Sequence, residues 1–339
     1  MHPRANKTYF RCLKSKFSMK ALVLEETNTP LIYKEVEHPL ESVGHQIVEL
    51  RAAALNHRDV WIRKGQYARI KLPVILGSDG AGFAGDRPVI INPGMQWGDR
   101  MDVQGDDFHI LGMPTNGTFA QRVSVPDNQI YDMPEHLSFE EAASIPLAGV
   151  TAWRAVVTQG QVKPTDRVLI TGIGGGVAQW AMQFALSKGA HVSVTSGTPA
   201  KLERAMQAGA HGGYDYHDVE WTKHAREEGG FDLVIDGAGS TGLAQVMKIC
   251  NPGARLVIYG GTAGPIPALS PQVLFWKQLH IIGSTMGSPS DFQDMITWIR
   301  DQRIVPILDR VFPLEEGSAA FDRMSEGLQF GKIILQIPA

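Results

Sequence analysis

Four glycines within five residues, Gly172 and Gly174 to Gly176, mark the stretch with the plainest chemical use. They follow a short apolar run, Val168, Leu169 and Ile170, of the kind buried on both faces of a parallel sheet. A helical pattern starts at once, with Val177, Trp180, Ala181, Phe184 and Ala185 at three- and four-residue spacing. Strand, glycine turn and helix together let the backbone come close to a pyrophosphate, and the helix N-terminus adds free N–H groups and a partial positive charge. Gly174, Gly175, Gly176 and Val177 are therefore the expected diphosphate contacts. The regular G-x-G-x-x-G spacing is not met, because Val177 stands where the third glycine would fall.

A dinucleotide in such a fold is chosen at the end of the second strand. An acid there holds a ribose 2′-hydroxyl, and a cation accepts a 2′-phosphate. The chain reads Thr195-Ser196-Gly197-Thr198 at that place, without an acid, and Lys201 and Arg204 follow. Ser196, Gly197 and Lys201 are thus expected to favour NADPH over NADH, with Tyr216 beside the adenine or the 2′-phosphate. Later strands end in small residues, Gly237, Gly260 with Gly261, and Met286 with Gly287. Close approach to a dinucleotide and tight turns are the two reasons for such endings.

Around this stretch, strands and helices alternate. Strands are expected at 167–171, 191–195, near 213–216, and at 231–236, 255–259 and 279–284, with helices between them. That pattern is a doubly wound parallel sheet, an α/β fold. Residues 19 to about 143 read instead as β structure with irregular turns, up to a capping box of Ser138 and Glu141. The last stretch, from Asp291, shows one helix and a final apolar strand near 332–337, expected to fold back onto the first domain. With 339 residues, two domains are the prior. The expected division is a basic extension at 1–18, a β domain at 19–143 completed by 289–339, and a dinucleotide domain at 144–288.

Composition excludes several classes. A net charge of −3 gives no electrostatic footprint for nucleic acid or an anionic membrane. No apolar run approaches the ~20 residues that span a bilayer. Two cysteines, Cys12 and Cys250, make no disulfide framework and fit a reducing compartment. Residues 1–18 hold Arg4, Lys7, Arg11, Lys14, Lys16 and no acid. They read as a disordered leader on a cytoplasmic protein, or as a mitochondrial targeting segment.

Several motifs in this order carry a resemblance: Leu55-Asn56-His57-Arg58-Asp59-Val60-Trp61, Gly77-Ser78-Asp79-Gly80-Ala81-Gly82, Leu147-Ala148-Gly149-Val150-Thr151-Ala152, the glycine turn, and Phe330-Gly331-Lys332. The chain from Met19 resembles the medium-chain dehydrogenase/reductase superfamily, in its zinc-free quinone-oxidoreductase-like branch. The resemblance implies a Rossmann domain inserted into a GroES-like β domain. It puts Asn56, Ser78 and Ala148 at the positions where zinc members hold their catalytic ion, and none is a usable zinc ligand. No metal is expected. The resemblance also shows about ten residues missing between Gly82 and Asp86, which is expected to strain or open the β domain. Thr151 is expected at the nicotinamide carboxamide, and Lys332 near the cofactor phosphates.

Without a Lewis acid, hydride addition to a quinone or to the alkene of an α,β-unsaturated carbonyl is easier than interconversion of alcohols and ketones. The negative charge then spreads into an enolate that hydrogen bonds stabilise. Asn56 and Tyr67 are the candidate contacts for that oxygen, with Trp61 as an apolar wall. Tyr67 also offers a phenol of ordinary pKa about 10 as a general acid. A zinc-type alcohol dehydrogenase and a non-catalytic NADPH-binding protein are the alternatives. A homodimer is expected, paired along the exposed edge strand at 279–285.

Overall fold

The computed structural model describes residues 18–239 and 242–338. The basic extension, Ser18 apart, and the expected start of a helix at Thr241 lie outside the described residues. Strand Ser18–Leu24 opens the fold, paired antiparallel with Ile32–Glu37 and with Val74–Ile75.

The main β sheet has seven strands and is built around His45–Ala54. On one side lies Asp79–Ala84 and beyond it Arg87–Ile91, while Arg122–Pro126 pairs with the first half of His45–Ala54. The strands lie so close that the glycines of Asp79–Ala84 are required. A Cβ at Gly82 would fall 2.1 Å from the Glu49 carbonyl oxygen. The shortened segment does not open the domain. Ala84 pairs with Arg87 across a two-residue turn in which Gly85 takes φ +61°, a value that suits glycine.

The chain returns to this sheet at its end. The final stretch holds two helices rather than the one expected, Pro289–Asp301 and Gly317–Ser325, with strand Leu308–Pro313 between them. The last strand, Lys332–Gln336, then pairs antiparallel with His45–Ala54, matching Ile334 to Ala54 and Gln336 to Ala52. This register delivers Lys332 to the end of the strand where Leu55 and Asn56 leave the sheet.

Between these parts stands a six-stranded parallel sheet. Its order is Gly212–Asp215, His191–Ser196, Arg167–Ile170, Phe231–Asp236, Cys250–Ile258 and His280–Gly283, the doubly wound Rossmann order. The central strand shows why both faces must be apolar. Val168 and Ile170 pack with Ala178, Ala181 and Ala185 of helix Gly176–Ser187. Leu169, pointing the other way, packs with Trp221, Leu243 and Val246. Helix Gly176–Ser187 also stacks Trp180 on Phe184, with ring centroids 5.2 Å apart. Burying each such aromatic stabilises the fold by about 1.5 to 3 kcal/mol. The helix N-terminus is therefore held rigidly at the carboxyl edge of the sheet.

Candidate active site

The glycine turn places its backbone at the crevice where the strand order reverses. Gly175 caps helix Gly176–Ser187 with φ −82°, no side chain caps it, and the first turn holds no acid. Cβ positions built at Gly172 and Gly175 meet nothing within 4 Å, so the turn is open toward solvent there. At Gly174 and Gly176 the opposite holds. A Cβ would lie 2.9 Å from Lys201 Nζ at the first and 2.7 Å from Lys332 Cδ at the second. The open pair lies beside the free N–H groups of the first helical turn, an arrangement of the kind that suits a diphosphate. Val177 stands half-buried in the first helical turn.

The end of the second strand gathers side chains at Gly197. Ser196 Oγ accepts the Thr198 N–H at 3.1 Å and keeps its own proton free to donate. A Cβ at Gly197 would fall 2.5 Å from His217 Nε2 and 2.7 Å from the Tyr216 ring. Tyr216 is half exposed and meets His217 edge to face. His217, which reads in the sequence as one of a helix's surface residues, precedes helix Trp221–Glu227 and turns back onto this corner. Lys201 donates to the Gly327 carbonyl at 2.6 Å, and desolvation lowers its pKa. Arg204 does not reach the corner, since its guanidinium lies 4.2 Å from the centre of the Phe330 ring.

At the other strand ends, Gly237 and Gly260 touch. A Cβ on Gly260 would be 2.9 Å from the Gly237 carbonyl oxygen, and Gly261 lies against Gly239. Thr151, buried in helix Pro146–Trp153, donates to Leu147 O at 2.7 Å and meets the Met286 sulfur at 3.8 Å. Met286 itself has φ +46°, rare for a residue with a side chain. Thr151 and Met286 thus meet where the two domains join.

Deeper in the joint lies a buried polar cluster. Asp79 accepts from Leu147 N at 2.8 Å, and from Asn56 Nδ2 and Lys332 Nζ at 2.9 Å each. Lys332 donates also to Asn56 Oδ1 at 2.7 Å and to Leu55 O at 2.8 Å. All three ammonium protons therefore have protein acceptors. Lys332 does not reach outward to phosphates, as its sequence position suggests. Its stem runs beneath Gly176 and its charge is turned inward. Asn56 keeps a single amide proton beyond this network.

Helix His57–Arg63 borders the cluster. Asp59 is fully buried and accepts the Asn56 N–H at 2.9 Å, and burial pushes its pKa up to about 6. His57 is held below its ordinary pKa by desolvation and then by the Lys332 charge, which keeps its imidazole neutral. Trp61 is half-buried with its ring 6.3 Å from that of His57. Arg58 is 6% exposed, and its Nη1 donates to Ser78 Oγ at 2.7 Å and to Leu111 O at 2.9 Å. The ring of Tyr67 lies 5.1 Å from the Arg58 guanidinium carbon. Sequence reading passes over Arg58. Its signal is a cation four residues before Ile62, on the helix face that reaches the core.

A wound sheet with an open diphosphate cradle, closed against a β domain that supplies buried polar groups, defines a dinucleotide-dependent oxidoreductase architecture. The chain matches the alcohol dehydrogenase GroES-like domain model over residues 42–135 and the zinc-binding dehydrogenase model over residues 176–301. It is 30% identical to the zinc-type alcohol dehydrogenase-like protein YogA of Leptosphaeria maculans, across 91% of this chain and 95% of that protein. It is 26% identical to the quinone oxidoreductase of Homo sapiens, across 94% and 97% respectively. A solved structure of an NAD-dependent alcohol dehydrogenase aligns with a TM-score of 0.89 at 35% identity, covering 94% of this chain and all of that one. The chain belongs to the medium-chain dehydrogenase/reductase superfamily and is an oxidoreductase of that family.

The residues do not fit a catalytic zinc. Asn56 and Asp79 hold an ammonium, Ser78 donates to Leu111 O while accepting from Arg58, and Ala148 offers a methyl group. Among the described residues, no three His, Cys, Asp or Glu side chains converge.

Proposed function

We propose that the protein is an NADPH-dependent reductase that passes hydride, without metal, to a quinone or to the alkene carbon of an α,β-unsaturated carbonyl. The observation that carries this reading is the buried Arg58 guanidinium on Ser78, next in the chain to Asp79, whose charge is met by Lys332. A site built this way holds fixed positive charge where zinc members hold an ion. Such charge stabilises an oxygen that becomes anionic. It cannot ionise an alcohol as a metal does.

Bound nicotinamide supplies the hydride. The chain's part is to orient and to exclude water. The N–H groups of the first turn of helix Gly176–Ser187 take the diphosphate. Ser196 and His217 beside Gly197, and Lys201 beside Gly174, are groups that suit a 2′-phosphate and so support NADPH over NADH. Thr151 and Met286 border the joint where the reacting ring would lie, and Trp61 gives the cleft an apolar side. We also propose a homodimer paired along edge strand His280–Gly283. The exposed Phe275 and Trp276, 63% and 83% accessible, lie just before it.

The test is NADPH and NADH consumption over small enones, quinones and simple alcohols, before and after chelation. Enone or quinone reduction that survives chelation and prefers NADPH is expected. Stoichiometric tight zinc with alcohol oxidation would establish the zinc-type reading carried in the names of the relatives. Binding of NADPH with no turnover on any of these compounds would leave a non-catalytic binder. Light scattering tests the dimer, and a monomer at micromolar concentration sinks it.

A further inference from the structure

Arg58 presents a charge with an unused edge. Its Nη1 is satisfied by Ser78 and Leu111, but Nε and Nη2 have no protein partner and are shielded from solvent. A planar guanidinium carries Nε–H and Nη2–H side by side, so these two donors form one fork. Leaving such donors buried and unbonded costs free energy that a structural role does not repay. The Tyr67 ring covers the group on one face. The ion balance points the same way. Lys332 and Asp79 neutralise each other, and the carboxylate next to Arg58 is Asp59, bonded to the Asn56 amide rather than to the guanidinium. The positive charge at Arg58 therefore lacks a bonded counter-ion among the described residues.

We propose that Arg58 is a catalytic residue that binds the substrate's carbonyl oxygen through Nε–H and Nη2–H, in the role a metal plays elsewhere in the superfamily. The inference rests on the reductase reading above. Hydride from the dihydronicotinamide forms a C–H bond at the β-carbon, and the cofactor is oxidised by two electrons. The alkene pair moves toward the carbonyl carbon, and the carbonyl pair settles on oxygen as an enolate held by the fork. The α-carbon takes a proton from solvent afterwards. The Tyr67 ring gives way to admit the oxygen and then shields it from water. A neutral donor such as Asn56 adds at most its one remaining proton, so the charge is met chiefly by Arg58.

Two measurements test this, and only one needs turnover. Arg58→Met is expected to lower kcat for enone reduction by about 10² to 10³, the usual effect of removing an oxyanion donor. Its NADPH dissociation constant should stay at the wild-type value, and added guanidinium ion should restore part of kcat. Arg58→Lys, which keeps the charge but loses the fork, should recover less than a tenth of the wild-type rate; it replaces the Met variant if that one does not fold. Separately, p-nitrophenol bound to the cofactor-free protein should titrate below its value in water, read by the phenolate absorbance, and the lowering should vanish in the variant. A folded variant with wild-type kcat, or with the same bound phenol titration, overturns the assignment. If the wild-type protein reduces nothing, the function proposed above fails, while the phenol titration still decides whether Arg58 binds an oxyanion.

Discussion

The glycine turn and the buried cluster face each other across the domain joint, yet they are built on opposite plans. The turn is local: one strand, five residues and one helix set the N–H groups of the first helical turn beside open space at Gly172 and Gly175. The cluster is non-local. Asn56, Asp79, Leu147 and Lys332 come from four separate segments, and each bond in it closes a long loop. A site made of backbone is robust to side-chain change and open to solvent. A site made of distant charges is closed, and each member depends on the others. The two regions meet at Gly176, where the Lys332 stem passes under the helix N-terminus.

The strongest way to break the contrast is to remove one charge from the cluster. Lys332→Met leaves Asp79 buried without its counter-charge, and should cost about 3 to 5 kcal/mol of stability in urea unfolding. Adding Asp79→Asn to that variant should recover a large part of the loss, because a buried ion pair replaced as a unit is far cheaper than one broken. A Lys332→Met protein within about 1 kcal/mol of wild type would show that the network is not closed.

The turn should behave otherwise. Gly175→Ala adds a methyl group into open space at an ordinary φ, so melting should move by less than about 0.5 kcal/mol equivalent. NADPH affinity should nevertheless fall by about tenfold or more in a fluorescence titration, since the methyl group enters the cradle. Gly176→Ala links the regions. Its methyl group meets Lys332 Cδ, and overpacking there should cost about 1 to 3 kcal/mol of stability. If the two alanine variants lose stability equally, the cradle is not open as described.

This contrast also explains what the sequence could disclose. Val168 to Ile170, the glycines and the spacing of Trp180, Ala181 and Phe184 identify the sheet and its turn, because the signals are neighbours in the chain. The β character of residues 19 to about 143 and the final strand near 332–337 follow from the same short-range rules. The inward turn of Lys332 was not legible. It depends on the register that sets Ile334 opposite Ala54, a pairing across 280 positions of chain. Arg58 was hidden for the same reason: its neighbours Ser78 and Leu111 lie 20 and 53 residues away. His217 reaches Gly197 from another loop, twenty positions on, so nothing adjacent in the chain marks it.

A smaller effect is expected at the ribose corner, which mixes both plans. Lys201 already holds the Gly327 carbonyl, so a 2′-phosphate would share its ammonium with that oxygen. Lys201→Gln should shift the NADPH to NADH preference by roughly fivefold toward NADH, about 1 kcal/mol. Measured kcat/KM ratios for the two nucleotides check this. An unchanged ratio would hand the selection to His217 and Ser196.

The finest probe of the cluster is its dependence on pH, where two neighbours in the same helix oppose each other. Asp59 has its pKa raised from 3.8 to about 6, chiefly by burial, so the folded chain holds that proton more tightly than the unfolded chain does. Its contribution is complete below the unfolded value and is lost as pH rises through the folded one. His57 is depressed below 6.5, so its contribution is present above that value and is lost as the solution is acidified. Asp59→Asn keeps an oxygen for the Asn56 N–H and removes the titration. Relative to wild type, that variant should gain stability between about pH 4 and pH 7, on the order of 1 to 3 kcal/mol. His57→Gln should instead gain relative to wild type as pH falls below 6.5. Urea unfolding across this range separates the two slopes. A flat difference for Asp59→Asn would mean that the carboxyl is ionised in the folded protein throughout, and that the guanidinium of Arg58 has more negative charge near it than its bonds show.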